Sequence, residues 1–167
     1  MFMLIIEELY SIEESISELS ELLVYVVDDG AAVGFLPPMK PSLAKEYWGT
    51  VLSSGVILFV AKINNRIVGS VQLHLCTKPN GLHRADIAKL ITDPDLRRQG
   101  LGRALMQKAE ERALQEGRSL LVLDTREGDP SNKFYQSLGF IEAGRIPNFA
   151  KSANGELHTT VLYYKTL

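Results

Sequence analysis

The sequence predicts one α/β domain with a central mixed, mostly antiparallel sheet of about seven strands and helices on both faces. Three observations lead to this prediction. Three strand-like apolar segments follow one another in the middle of the chain, and the second half then alternates strand, helix and strand. The chain of 167 residues is 46% hydrophobic and 23% charged, which suits a single globular domain with its own core, over residues 1–167.

Seven segments have the composition of strands. Residues 56–62 and 66–75 are rich in Val, Ile, Leu and Phe, and Asn64-Asn65 between them favours a two-residue hairpin turn. Residues 120–124 are continuously apolar, as in a buried parallel strand. The other predicted strands are residues 2–7, 84–92, 140–145 and 157–165.

Two helices and a loop are predicted in the first half. Residues 11–27 carry an apolar stripe, with Ser11 as the N-cap and Glu14 in the capping-box position. Residues 28–41 collect Gly and Pro, which indicates a loop, and a second helix follows over residues 42–53.

Two further helices are predicted in the second half. Residues 98–116 form the most regular amphipathic segment of the chain, and Gly117 ends it. The next helix has Asp129 as its cap and Pro130 at its first position, and it ends at Gly139.

Composition and charge argue against several classes of protein. A formal net charge of −2 makes a nucleic-acid partner unexpected. The single cysteine cannot form an internal disulfide, which favours a cytoplasmic location, and His74 and His83 lack the spacing of a metal site. The N-terminal apolar run has no basic flank, so it is predicted to be a strand, and no apolar stretch is long enough to cross a membrane.

An anion site is predicted where a strand passes into a helix, in residues 90–104 (LITDPDLRRQGLGRA). The first amides of a helix are unpaired and carry partial positive charge, and the missing side chains of Gly100 and Gly102 allow a phosphate to approach them. Arg97, Arg98 and Arg103 add cations nearby. The alternative is that the glycines only start the helix and the arginines are solvated. The segment is not a P-loop, because no Gly-Lys-Ser/Thr follows.

Two motifs in this half of the chain resemble those of the GCN5-related N-acetyltransferase (GNAT) family. Arg97-x-x-Gly100-x-Gly102 matches the acetyl-CoA motif of that family, and residues 132–140 (NKFYQSLGF) match its Asn-x-x-Phe-Tyr-x-x-x-Gly-Phe segment. The two motifs define an acetyl-CoA-binding core over about residues 83–140. A finer likeness, in residues 85–90, 123–125 and 155–160, is to the tabtoxin-resistance type of acetyltransferase.

The resemblance implies how acetyl-CoA would be bound. Backbone groups of Leu90, Ile91 and Thr92 would pair with the pantetheine arm, and Asn132 would hydrogen-bond that arm. Tyr135 lies one helical turn after Asn132, so both are expected to point the same way. The pyrophosphate would be held around Arg97 and by the amides of Arg98, Gln99, Gly100, Leu101, Gly102, Arg103 and Ala104.

The resemblance also implies direct attack of a neutral amine on the thioester, and Tyr135 can protonate the departing thiolate. The alternative for Tyr135 is packing on the sheet. Candidates for removing the proton of the amine are Asp86, Asp124, His158 and water, and either acid can instead bind an ammonium group. Asp124 ends a parallel strand, where ligands gather. Alternation along the strand puts Asp86 on one face with Ala88 and Leu90.

The function expected from these residues is transfer of an acetyl group to a small-molecule amine, with the acceptor bound by residues 11–54. The alternatives are a protein N-terminal or lysine acetyltransferase and a non-catalytic CoA-binding module. Homodimerisation is left open by the sequence.

Overall fold

Within residues 3–167, which a computed structural model describes, the chain forms one seven-stranded sheet with helices on both faces, as predicted. The strands are β1 (Leu4–Leu9), β2 (Val56–Ile63), β3 (Arg66–Leu75), β4 (Arg84–Thr92), β5 (Leu120–Arg126), β6 (Ile141–Lys151) and β7 (Leu157–Thr166). The helices are α1 (Ile16–Asp28), α2 (Pro41–Gly49), α3 (Leu101–Gln115) and α4 (Ser131–Ser137). None of the helices in these residues is long and apolar enough to cross a membrane.

The strand order is β1-β2-β3-β4-β5-β7-β6, and every neighbouring pair is antiparallel except β4 and β5. The sheet is therefore mixed and mostly antiparallel, as the sequence predicts. Asn64 and Asn65 join β2 to β3 with φ values of 50° and 63°. Both values lie in the left-handed region that a type I′ hairpin turn requires and that asparagine tolerates.

Two hydrophobic cores lie on opposite faces of the sheet. Helices α3 and α4 cover one face, where Leu105, Ala109 and Tyr135 pack against Val71 and Ala85. Helices α1 and α2 cover part of the other face, where their apolar side chains pack on strands β2 and β3. The largest buried residues of the core under α1 and α2 are Trp48, Leu19, Leu23, Leu58, Val27 and Val60.

The two parallel strands separate toward their carboxyl ends. Strands β4 and β5 pair only at Arg84–Leu120, Ala85–Leu121 and Asp86–Val122. Beyond these pairs β4 stays with β3, and β5 stays with β7. A wedge therefore opens in the middle of the sheet, and the edge of β4 that faces it has no strand partner.

A β-bulge in β4 accompanies this separation. Gln72 lies opposite Ala88 and Ser70 lies opposite Ile91, so one residue of β3 faces both Lys89 and Leu90. Lys89 takes a left-handed φ of 53°, as a residue in a bulge can. The extra residue reverses the alternation of side chains: Leu90 packs on the α3 side with Ile87, and Ile91 packs on the other side. The prediction that Asp86, Ala88 and Leu90 share one face is therefore wrong at Leu90.

The predicted capping box of the first helix is also wrong. Helix α1 begins at Ile16, and the residues before it form turns in which the Ser15 amide donates to the Ile12 carbonyl. Ile12 packs against the core under α1 and α2, and Glu18 accepts a hydrogen bond of 2.8 Å from the Ile67 amide of β3. Tertiary contacts of Ile12 and Glu18 thus set this helix start, where the local pattern favours Ser11.

Other boundaries shift by a few residues. The register of β1 on β2 begins at Leu4–Ile63, and the predicted strand start at Phe2 lies outside the described residues. Helix α2 ends at Gly49, short of the predicted 53, and β6 continues to Lys151 because it keeps pairing with β7. Asp129 does not cap α4, since its carboxylate accepts from Arg126 at 3.0 Å.

Candidate active site

A cavity of about 670 Å³ occupies the wedge between β4 and β5. Its size is that of a small-molecule site. The walls come from residues 87–90 of β4 and 123–126 of β5. Loop 30–37 after α1, the tip of the β6–β7 hairpin and the α4 residues Ser131 and Tyr135 complete the lining.

The start of α3 has the geometry of an anion site. Gly100 precedes the helix with a φ of 80°, which glycine adopts without strain. The Ala104 amide donates to the Gly100 carbonyl, and among the described residues the amides of Leu101, Gly102 and Arg103 have no backbone acceptor. These three N–H groups are available to a phosphate, as the sequence predicts for this segment.

Gly102 also lies close to the ring of Phe134. A Cβ atom at this position would lie 3.3 Å from Cζ of Phe134 on α4 and 3.9 Å from Cδ2 of Leu90. The glycine therefore lets α3, α4 and β4 approach one another. The sequence suggests only the approach of a ligand to the backbone.

The loop between β4 and α3 is anchored by side chains. Asp93 is buried, and its carboxylate accepts from the Asp95 amide and pairs with Arg66 at 2.9 Å. Arg97 forms an ion pair of 2.6 Å with Asp29 at the end of α1. Arg103 donates to the Ser137 hydroxyl of α4 at 3.1 Å. Two of the three predicted phosphate cations therefore have partners within the protein.

The predicted pantetheine segment runs along the open edge of β4. Leu90 lines the cavity, Ile91 is buried under the α1–α2 layer, and Thr92 pairs with Gly69 at the end of the strand. The divergence of β5 leaves this part of β4 without a strand partner on one side. An extended ligand arm can therefore lie along it and use its backbone groups.

The side chain of Asn132 is hydrogen-bonded within the protein. Its Nδ2 donates to the carbonyls of Arg126 and Asp129, both at 2.9 Å, and its Oδ1 accepts from the Tyr163 hydroxyl at 2.8 Å. The side chain thus ties α4 to β5 and β7 and has no amide hydrogen left for pantetheine. Asn132 borders a second cavity, whereas Tyr135 lines the cavity of the wedge.

Tyr135 is both packed and part of the cavity wall. Only 7% of its surface is exposed, and the rings of Phe134, Phe140 and Tyr163 lie 5.4, 5.9 and 6.3 Å from its ring centroid. Burial, reinforced by the negative charge of Asp124, raises its pKa to about 12. The phenol therefore stays protonated throughout the physiological range of pH.

The structure brings Asp124 into the cavity and leaves Asp86 outside it. Asp124 is exposed near the end of β5, where its carboxylate accepts from the Thr160 hydroxyl at 2.7 Å. Asp86 lies opposite His74 on β3. Burial lowers the pKa of His74, and the charge of Asp86 opposes this shift. His158 lies in the cavity wall, 4.0 Å from the carboxylate of Glu156.

Three basic residues of the cavity, Lys89, Arg126 and Lys151, were missed by the sequence analysis. Lys89 reaches the loop after α1, where its Nζ lies 5.8 Å from the centroid of the Phe35 ring. Arg126 donates to the Asp129 carboxylate, to the Ser152 hydroxyl at 3.1 Å and to the Gly30 carbonyl at 3.2 Å. It therefore links β5 to the hairpin tip and to the loop that cover the cavity. The position of Arg126 at the end of a parallel strand could have identified it from the sequence, whereas no local pattern marks the bulge at Lys89.

The part of the chain that the structure describes contains no group of three His, Cys, Asp or Glu side chains placed to hold a metal ion.

This fold and site define a class of protein: an α/β domain with a split sheet, a cavity in the wedge between the separated strands, and unpaired helix amides that can bind a phosphate group. The sequence profile described as the acetyltransferase (GNAT) family matches residues 7–140. The chain belongs to this family.

Known proteins similar to the chain include two relatives from bacteria. An uncharacterized N-acetyltransferase from the hisH–hisA intergenic region of Azospirillum brasilense is 33% identical over 104 residues, which are 60% of this chain and 62% of that protein. The [ribosomal protein bS18]-alanine N-acetyltransferase of Escherichia coli K12 is 35% identical over 75 residues, 44% of this chain and 51% of the relative. The chain thus spans less than two thirds of the length of these relatives.

Solved structures share the fold over nearly the whole chain. An acetyltransferase of the GNAT family from Streptococcus pneumoniae has a TM-score of 0.82 at 20% identity, covering 99% of this chain and all of that one. The yncA protein of Salmonella typhimurium, solved with its cofactor acetyl-CoA, has a TM-score of 0.78 at 15% identity. The match covers 97% of this chain and 94% of the yncA chain.

Proposed function

We propose that the protein is an acetyl-CoA-dependent N-acetyltransferase that acetylates the amine of a small-molecule acceptor. The observation that carries this proposal is the cavity in the split sheet, which places Tyr135 and Asp124 in one chamber beside the open edge of β4. Family membership supports acetyl-CoA as the donor.

The residues present fit acetyl-CoA. The amides of Leu101, Gly102 and Arg103 have no backbone acceptor and would hold the pyrophosphate. The open backbone edge at Leu90–Thr92 would take the pantetheine arm, so the core over residues 83–140 would bind the donor. When bound, acetyl-CoA supplies an acetyl group activated as a thioester.

Asp124 serves the acceptor. Its carboxylate lies near the cavity end of β5 and can accept a hydrogen bond from an ammonium group. Its main role is to hold the amine, and the proton leaves through water or His158. Asp86 lies outside the cavity and is the less favoured of the two acids for binding the amine of the acceptor.

Tyr135 serves the leaving group. Its pKa of about 12 keeps its proton in place and makes full transfer to a free thiolate, with a reference pKa near 8.5, uphill by about 5 kcal/mol. The phenol therefore acts mainly by donating a hydrogen bond to the sulfur as negative charge develops there.

Two observations favour a small acceptor. Arg126 holds the loop after α1 and the hairpin tip together over the cavity, which limits the space for a folded partner. Residues 85–90 and 155–160 resemble the tabtoxin-resistance type of acetyltransferase, which points to the same class of acceptor.

A peptide N-terminus is the second candidate acceptor. It is favoured by the likeness to the bS18-alanine N-acetyltransferase of Escherichia coli. A CoA-binding module without turnover is the third reading, and the tyrosine and aspartate in the cavity argue against it.

A thiol-release assay with acetyl-CoA separates these candidates. The panel contains amino acids, polyamines, amine antibiotics and short peptides with free N-termini. We expect release above the acetyl-CoA hydrolysis background with at least one small amine and a mass increase of one acetyl group on that amine. Thiol release with peptides alone would show that the acceptor is a peptide N-terminus and not a small molecule. Binding of acetyl-CoA without thiol release on any acceptor would contradict the proposal that the protein is an enzyme.

A further inference from the structure

Lys89 projects into the acceptor end of the cavity because of the bulge in β4. In its left-handed conformation the side chain leaves the regular alternation of the strand. Its Nζ lies 2.9 Å from the point where a Cβ of Gly34 would be, and it also contacts the ring of Phe35. Both residues belong to the loop after α1 that lines the cavity. The ammonium group therefore lies under this loop.

Lys89 has no anionic partner. Throughout residues 3–167, no carboxylate lies within 4.0 Å of its Nζ, whereas Lys62, Lys108 and Lys165 each form an ion pair. Lys89 is nevertheless half-buried, and this burial lowers its pKa. A half-buried cation without a counter-ion is costly, so an anion brought by a ligand would be stabilised there.

The opposite charge lies across the wedge on β5. Asp124 lines the same cavity, and its field opposes the lowering of the Lys89 pKa. The two groups are more than 4.0 Å apart, since they do not form an ion pair. The ammonium group of Lys89 on β4 and the carboxylate of Asp124 on β5 thus line the same cavity, with room for ligand atoms between them.

We propose that Lys89 binds a carboxylate of the acceptor while Asp124 binds its amine, so that the acceptor is an amino acid or a similar small amine that carries a carboxylate. This inference rests on the proposed acetyl transfer. It narrows the acceptor to molecules with both charges and disfavours simple polyamines. It also disfavours peptide N-termini, in which the first residue has an amide where a free amino acid has a carboxylate.

Matched pairs of acceptors test the assignment. Each amino acid of the panel is compared with its carboxamide, which keeps the amine and side chain and loses the negative charge. We expect wild-type kcat/KM to favour the acid by about 10- to 100-fold, as is typical of a hydrogen bond to a charged group. Lys89→Met should remove this preference, and Lys89→Arg should keep part of it. Lys108→Met, an exposed position on α3, is the matched control and should leave the preference unchanged.

Two outcomes in the assay overturn the inference while acetyl transfer stands: equal use of acid and amide by the wild type, or a preference that survives in Lys89→Met. If no acceptor is acetylated, the proposed function fails. Calorimetric titration with amino acids and their amides then tests whether Lys89 binds a carboxylate. Wild type with CoA present should then bind an amino acid more tightly than its amide, and Lys89→Met should not. Equal binding, or no binding of either, overturns the assignment.

Discussion

The hydroxyl of Tyr135 is the group whose removal tests the site most directly. Tyr135→Phe keeps the ring that packs against Phe134, Phe140 and Tyr163 and deletes only the hydroxyl group of a side chain that lines the cavity. The fold should therefore tolerate the change. We expect kcat to fall while the affinity for acetyl-CoA stays within about twofold of wild type.

The size of the fall follows from the pKa of Tyr135. A general acid contributes about 10²–10⁴-fold. A pKa of about 12 makes complete proton transfer uphill, so the lower end of that range is expected. A hydrogen bond to a charged group contributes about 1.5–3 kcal/mol, which corresponds to about 10- to 150-fold in kcat.

The assay is steady-state thiol release with the best acceptor, together with calorimetric titration of acetyl-CoA. Tyr164→Phe is the matched control, because Tyr164 lies on β7 outside the lining of the cavity. A folded Tyr135→Phe enzyme with wild-type kcat would refute the reasoning and leave Tyr135 as a packing residue.

The remaining predictions concern the donor site, the acceptor site and pH. Gly102→Glu should abolish acetyl-CoA binding in calorimetry, and Gly102→Ala, which adds only a Cβ near Phe134, should retain it; undiminished affinity of a folded Glu variant would contradict the pyrophosphate site. Asp124→Asn should raise the acceptor KM or reduce kcat, with a larger effect than Asp86→Asn, since only Asp124 lines the cavity; identical kinetics of both variants and wild type would remove both acids from the site. The raised pKa of Tyr135 stabilises the fold below pH 10, and this contribution of about 3 kcal/mol should be lost as pH rises from 10 to 12. Urea unfolding should show a steeper loss in that range for wild type than for Tyr135→Phe, and parallel curves would argue that this phenol titrates normally.

Local patterns were sufficient wherever a residue acts through its own backbone or its immediate neighbours. Asn64-Asn65 forms a hairpin because asparagine tolerates the left-handed conformation. Gly100 precedes α3 because glycine also tolerates a left-handed φ. The amides that follow it are unpaired because the first N–H groups of every α-helix lack an acceptor within the helix. These features need no knowledge of the rest of the molecule, so the sequence predicts them well.

The capping of helices was less predictable because side chains choose among distant partners. Ser11 has the right spacing to Glu14, yet Ile12 is drawn into the core and α1 begins at Ile16. Asp129 precedes Pro130, yet its carboxylate pairs with Arg126 of β5. A tertiary contact in the first case and an ion pair with a residue three positions earlier in the second outweigh a cap, whose contribution is about 1 kcal/mol.

The sequence by itself determined the class of fold, the order of the strands along the chain, the start of α3 to within three residues and the motif that carries Tyr135. These depend on hydrophobic periodicity and on the preferences of Gly, Asn and Pro, which are local. Only the tertiary structure decided which side chains share the cavity. The bulge turns Lys89 toward it, Asp124 lies beyond the last β4–β5 pair whereas Asp86 lies within the paired part, and hydrogen bonds tie Asn132 to the backbone after β5. Each of these depends on how strands pair across the sheet, because pairing joins residues that are far apart in the chain.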